Sequence, residues 1–200
     1  MKKFGGYDEA SKAARFVGGE RLPAGAYVCK VMNVKFEEGT DGKSDMIKMQ
    51  YDIIEGDYKD FFRKQYDANT NEDKKWKGSV TIWCPTDDGS EKDGWTKNAF
   101  ASWTNALEDS NPGYKWDWDE SKWKGKILGI HFGETGTVID GREIVYTEPR
   151  RGISVEDVRS GNFKELKFKA KNGYTGNQDT TTSTNDFVNI PEGAEEEIPF

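Results

Sequence analysis

The chain consists largely of short runs of β-forming residues, and each run is followed by a turn signal. Residues 46–53 show the pattern most clearly, because polar Lys48 and Gln50 alternate with apolar Ile47 and Met49. Alternation with a period of two residues is typical of a strand that buries one face. A chain built from such segments folds into antiparallel sheet more readily than into a helical bundle.

Other segments share this composition, and Asp-Gly pairs at 41–42 and 140–141 are typical of hairpin turns. We predict further strands at residues 27–34, 58–66, 79–84, 126–132, 143–147 and 165–171. About five strands with turn-rich connections and one internal helix favour a small antiparallel barrel over an α/β sheet. The predicted fold class is therefore an all-β barrel.

The internal helix is indicated by an apolar stripe in which Phe100, Trp103 and Leu107 lie at positions i, i+3 and i+7. The helix should end at the Asn-Pro-Gly sequence of residues 111–113. Ser154 begins a capping box, which predicts a second, short helix reaching about residue 160.

The acidic charge is concentrated at one end of the chain. The formal net charge is −7, and residues 173–200 hold six acids and no Lys or Arg. We therefore predict an N-terminal arm at residues 1–20, a folded domain at 21–172, and a disordered acidic tail at 173–200. The remaining body is nearly neutral, so a basic face for nucleic acid is compatible with the sequence.

Composition also limits the cellular context. No apolar run reaches the roughly 20 residues of a membrane-spanning helix, so we expect no membrane partner. The first residues carry two lysines but no apolar stretch of a signal peptide, which favours a cytoplasmic protein. Two cysteines, Cys29 and Cys84, cannot form a disulfide framework and are expected to be buried thiols.

No pattern in the sequence calls for catalysis, a cofactor or a metal. The single histidine, His131, lies in a predicted strand and lacks a Cys or His cluster, so packing is its more probable role. Asp117 and Asp119 are capable of acid–base work or metal binding, but their setting is more typical of a solvated loop. We expect a binding protein rather than an enzyme.

Aromatic residues make up 13% of the chain, and several alternate with cations between residues 58 and 83. A ring can stack on an unpaired base while the neighbouring cation neutralises a phosphate. On a strand, Phe62, Lys64 and Tyr66 would share one face. The competing interpretation, that these rings belong to the core, has about equal weight here. The candidate DNA-binding residues are Phe62, Arg63, Lys64, Tyr66, Lys74, Lys75, Trp76, Lys77 and Trp83.

The last six residues combine three acids with an apolar tip. Such a segment suits a partner whose hydrophobic pocket is ringed by Lys or Arg. A purely solubilising tail would explain the glutamates but not the apolar tip. The candidate partner-binding residues are Glu195, Glu196, Glu197, Ile198, Pro199 and Phe200.

This ending resembles the acidic tip of bacterial single-stranded-DNA-binding proteins (SSB), with glutamates in place of the usual aspartates. The body is similar to an SSB-like family encoded in replication modules of phages and prophages. Residues 22–29, 51–59 and 110–116, continuing to 124–126, carry that similarity. The resemblance implies an OB-fold, a five-stranded barrel, and cooperative coating of single strands.

The sequence therefore predicts a protein that binds and protects single-stranded DNA, without strong sequence preference, during phage replication, recombination or repair. Its tip would recruit replication or recombination proteins, and a homo-oligomer is compatible with the sequence. One alternative is a β-sandwich carbohydrate-binding module, because exposed tryptophans also stack on sugar rings. Another is an accessory hub that acts only through its tail.

Overall fold

The computed structural model describes residues 21–40 and 42–176. Within these ranges, six strands form one sheet: β1 Gly25–Glu37, β2 Met46–Ile53, β3 Ser79–Trp83, β4 Ile127–Ile139, β5 Arg142–Ile153 and β6 Lys169–Ala170. The helices are α1 Phe61–Ala68, α2 Glu91–Ser110 and α3 Val155–Ser160, with a 3-10 helix at Glu120–Trp123. The mainly β class predicted from the sequence is confirmed.

The strands follow the order β3-β2-β1-β4-β5 across the sheet, with antiparallel neighbours throughout. β6 pairs in parallel with the second half of β4. In the described ranges, no ladder joins β3 to β5, so the sheet is open at this point rather than a closed barrel. Helix α2 connects β3 to β4 and contacts β3, β4 and β5, so it packs across the gap between the two end strands.

Helix α2 forms as the apolar stripe predicts, with Phe100, Trp103 and Leu107 all buried in the core. The Ser90 side chain caps its first turn by accepting the backbone N–H of Asp93. At the other end, the Asn111 side-chain amide donates to the carbonyls of Leu107 and Ile127, each at 2.7 Å. Asn111 thereby ties the end of the helix to the start of β4.

The strand predicted at residues 58–66 is wrong, because helix α1 occupies this region. Asp60 precedes the helix in a left-handed conformation, and its side chain makes no capping bond. The buried carboxylate of Asp52, at the end of β2, accepts the N–H groups of Phe62 and Arg63 instead, at 3.1 and 3.2 Å. A side chain of β2 thus caps α1 and stabilises a helix that the sequence pattern of residues 58–66 does not indicate.

The short helix α3 is confirmed, and the Ser154 side chain caps it. The methyl groups of Val158 lie against Gly129, so α3 covers the outer side of β4. His131 is 1% exposed on β4 and packs edge-on against Phe163, as the packing interpretation predicted.

The C-terminal part of the described chain follows the β4–β5 hairpin. The strand predicted at residues 165–171 is reduced to the two residues of β6. The predicted tail includes residues 173–176, yet Tyr174 contacts Phe168 and Thr175 donates to Glu143. The rest of the predicted tail and the predicted arm at 1–20 lie outside the described residues. None of the helices within 21–40 and 42–176 is long and apolar enough to cross a membrane.

Candidate nucleic-acid interface

Strands β1, β2 and β3 present one polar face away from the core. Ile47 and Met49 of β2 are buried, so the alternate residues of the strand point to the opposite side. The pairing register then sets three cross-strand rows, which we call the β1–β3 outer face. The rows are Asn33–Gln50–Ser79, Lys35–Lys48–Thr81 and Glu37–Met46–Trp83.

Two lysines of this face share one carboxylate. The ammonium groups of Lys35 and Lys48 lie 3.0 and 2.9 Å from the two carboxylate oxygens of Glu37. Their hydrogen bonds hold the pKa of the Glu37 carboxyl below its usual value. Exposed ion pairs of this kind are weak, so a phosphate can compete for either lysine at little cost.

A groove of about 330 Å³ opens at the Asn33–Gln50 end of the outer face. Its floor comes from β1 and β2, and its wall comes from α1 and from the loop that follows it. A register shift between Val31 and Asn33 marks a bulge in β1 at Met32, which is 37% exposed. The lining residues of this groove are Met32, Asn33, Gln50, Tyr66, Lys74 and Trp76.

Three predicted site residues meet in the wall of the groove. The ring centroids of Tyr66 and Trp76 are 5.8 Å apart, at an angle of 47°. The Lys74 ammonium lies 4.5 Å from the centroid of the Tyr66 ring, in a cation–π contact. Two half-buried rings and a cation thus line one open concavity, which is the combination that stacking on a base next to a phosphate requires.

Trp76 lines the groove and also packs against the core of the domain. Its indole N–H donates to the carbonyls of Tyr51 and Gly78, both at 3.1 Å, and its ring packs against the core. These bonds fix the orientation of the ring at the margin of the sheet. The two interpretations left open for this residue, binding and packing, therefore both describe part of its environment.

Phe62 is a correction to the predicted site. Its side chain is 7% exposed and packs edge-on against Tyr51 and Phe61, with centroids 5.5 and 5.2 Å away, so it offers no face to a base. The expected common face is also wrong for Lys64, because residues two apart on a helix point about 200° away from each other, whereas Phe62 and Tyr66, at positions i and i+4, lie on the same side of α1.

The remaining predicted residues lie outside the lining of the groove. Arg63 and Lys64 are exposed on α1, and Lys64 donates to the carbonyl of Lys59 at 2.8 Å. Lys75 and Lys77 are exposed on either side of Trp76. Trp83 is half-buried on the outer face, in the row farthest from the groove. The predicted partner-binding residues 195–200 lie outside the described residues.

The sequence interpretation missed the floor of the groove. Asn33 and Gln50 are neither aromatic nor charged, and Lys48 has no ring beside it in the sequence. The alternation in β2 did indicate that Lys48 and Gln50 face away from the core. Only the pairing register shows that this face continues across three strands.

The other candidate groups for chemistry lie apart from the groove lining. Burial and the nearby Arg151 guanidinium lower the pKa of His131. Burial raises the pKa of the half-buried Cys84 thiol to about 11, and Cys29 is fully buried. Asp117 and Asp119 form ion pairs with Lys122 in their loop. Among the described residues, no three His, Cys, Asp or Glu side chains form a group suited to a metal.

Comparison with known proteins adds no relative: no protein-family model and no curated protein matches the sequence.

Proposed function

We propose that the chain binds single-stranded DNA in the groove and along the β1–β3 outer face. The observation that carries this proposal is the meeting of Tyr66, Lys74 and Trp76 beside a polar sheet face. Stacking of one base on an aromatic side chain contributes about 1–3 kcal/mol and needs an unpaired base. Lys35 and Lys48 extend the cationic surface along the sheet from the groove.

The Lys74–Tyr66 contact suggests how a base enters. The ammonium group covers one face of the ring, 4.5 Å from its centroid. A base that stacks on this face displaces the ammonium, which then pairs with the adjoining phosphate. An exposed cation–π contact is worth only about 0.5–1 kcal/mol, so the exchange favours the bound strand.

Topology supports an OB-fold as the finer description of the domain. An OB-fold is a partly open five-stranded Greek-key barrel that binds oligonucleotides on the face of its second and third strands. Here β1, β2 and β3 form a meander, α2 follows β3, and β4 returns to pair with β1. The groove floor and the lysine row lie on β1 and β2, with β3 completing the same face.

The wider role rests on the sequence resemblance. We propose that the protein coats single strands during phage DNA replication or recombination and has no turnover of its own. The acidic residues 195–197 and the apolar residues 198–200 recruit processing enzymes. The carbohydrate-binding alternative needs two packed sheets for a sandwich, whereas the described strands belong to one sheet.

Competition binding tests the class of ligand. A labelled oligothymidylate of about 30 nucleotides exceeds the 4–16 nucleotides that one OB-fold covers. We expect the full-length protein to bind it, and excess unlabelled single strand to displace it far better than duplex DNA or soluble polysaccharide. Affinity should fall steeply with salt, because phosphate contacts release counterions. Equal displacement by the duplex, or affinity that does not change with salt, would refute the proposal.

A further inference from the structure

The floor of the groove holds two side-chain amides that face the same way. Asn33 of β1 and Gln50 of β2 are direct cross-strand partners, and both line the groove. The Cβ atoms of such a pair are about 4.5–5.5 Å apart, so both amides reach one small ligand. The bulge at Met32 places an exposed methionine beside them. Bulges next to binding sites commonly redirect side chains in this way.

These amides differ from the polar groups in the neighbouring row. Lys35 and Lys48 are engaged with Glu37, whereas the side chains of Asn33 and Gln50 make no hydrogen bond to any described residue. Each amide therefore presents one acceptor and two donor hydrogens to whatever enters the groove. Stacking does not distinguish one base from another, whereas a pair of amides can distinguish bases by the hydrogen-bonding groups on their edges.

We propose that the groove binds one adenine base of the single strand, with Asn33 and Gln50 contacting its edge. This inference rests on the proposed single-strand binding and adds base preference at one position of the bound strand. The groove volume of about 330 Å³ lies within the range of small-molecule sites, so the groove has room for one base.

Adenine fits because of its hydrogen-bonding pattern. Its N6 amino group lies between two acceptors, N1 and N7, so two of its edges offer a donor beside an acceptor. An Asn or Gln amide matches this pattern with two hydrogen bonds. On the same two edges, guanine offers a donor beside an acceptor only once, because its N7 and O6 are both acceptors. Cytosine has one such edge, and thymine has a single ring N–H to donate. Each of these bases therefore satisfies only one of the two amides on those edges. Adenine also has a larger ring to stack on Tyr66 than either pyrimidine.

The test compares the full-length protein with the double variant Asn33→Ala/Gln50→Ala on oligodeoxyadenylate and oligothymidylate of equal length. The informative quantity is how the ratio of the two affinities changes between proteins, because self-stacking of the adenine strand is the same for both. We expect the variant to lose about fivefold or more affinity for the adenine strand relative to the thymine strand. The matched control is Asn105→Ala, which removes an exposed amide of α2 outside the groove lining and should leave the ratio unchanged.

The outcomes separate the two proposals. Binding of both strands by the wild type, with a ratio that the double variant leaves unchanged, would overturn adenine recognition and leave single-strand binding intact. Failure of the wild type to bind either strand would overturn the proposed function itself. If the double variant unfolds, Gln50→Glu keeps the shape of the side chain but removes its donor, and we expect a smaller loss of adenine preference in the same direction.

Discussion

The carboxylate of Asp52 accepts the backbone N–H of Phe62 at 3.1 Å and so joins the end of β2 to the first turn of α1. The same side chain accepts the N–H of Arg63 at 3.2 Å. Because Tyr66 lies on α1 and lines the groove, this buried cap helps to fix the position of the Tyr66 ring. Burial raises the pKa of Asp52 even though these N–H groups oppose the shift.

We expect Asp52→Ala to lower the free energy of unfolding by about 1–3 kcal/mol, because it leaves buried N–H groups without an acceptor. Asp52→Asn should cost less, since its amide oxygen still accepts one of these bonds. Urea denaturation of both variants measures the difference. An alanine variant as stable as the wild type would show that Asp52 does not hold α1.

Replacing a buried and an exposed tryptophan tests which of these side chains belongs to the core. Trp103 is 4% exposed on α2, whereas Trp118 is 80% exposed in the loop before the 3-10 helix. We expect Trp103→Ala to cost about 3–5 kcal/mol or to unfold the chain, because it empties a large volume in the core. Trp118→Ala should change thermal stability little. Similar melting temperatures for the two variants would contradict the assignment of Trp103 to the core.

The cap of α3 predicts a pH dependence. Hydrogen bonds from Ser154 and Asn162 hold the pKa of the Asp157 carboxyl below its ordinary value of 3.8. The ionised carboxylate therefore stabilises the fold above about pH 4, and this contribution is lost as the pH falls through the lowered pKa.

Asp157→Asn should therefore have a lower free energy of unfolding than the wild type at about pH 7, and this difference should narrow toward about pH 2. Urea denaturation across this range measures the difference. The exposed Asp109→Asn on α2 is the matched control, and its difference should stay small throughout. A difference in unfolding free energy for Asp157→Asn that widens in acid would contradict a stabilising role of the ionised Asp157 carboxylate.

The acidic segment at residues 195–200 predicts a separation of DNA binding from recruitment. Replacing Ile198 and Phe200 by Ala should abolish binding to a bacterial protein that recognises the SSB tip, because the apolar contact is lost. DNA affinity should stay unchanged. Removing residues 195–200 altogether should raise DNA affinity slightly at low salt, where repulsion between acids and phosphates is least screened. Undiminished partner binding by the double variant would leave only a solubilising role.

Elements with strong local signals were predictable from the sequence. The stripe of Phe100, Trp103 and Leu107 located α2, and the alternation at residues 46–53 located β2 and its polar face. Both patterns report directly on which side of an element is buried. The Ser154 capping box located α3 in the same way.

Features set by distant contacts were not predictable in this way. Helix α1 depends on Asp52, which lies on another element. The local pattern of residues 58–66 therefore predicts a strand and places Phe62 in the site. The aromatic–cation pattern includes Tyr66, Lys74 and Trp76, and the fold brings these three residues together in one groove. The floor of the groove depends on the pairing of Asn33 with Gln50, and no local pattern in either strand contains that register.

The most direct test of the account is the affinity of full-length Tyr66→Ala for oligothymidylate, measured by fluorescence anisotropy beside the wild type at one salt concentration. If a base stacks on this ring in the groove, the variant should bind about 5- to 150-fold more weakly, corresponding to about 1–3 kcal/mol, while its circular dichroism spectrum is unchanged. Wild-type affinity in a folded Tyr66→Ala protein would contradict the groove as the single-strand site.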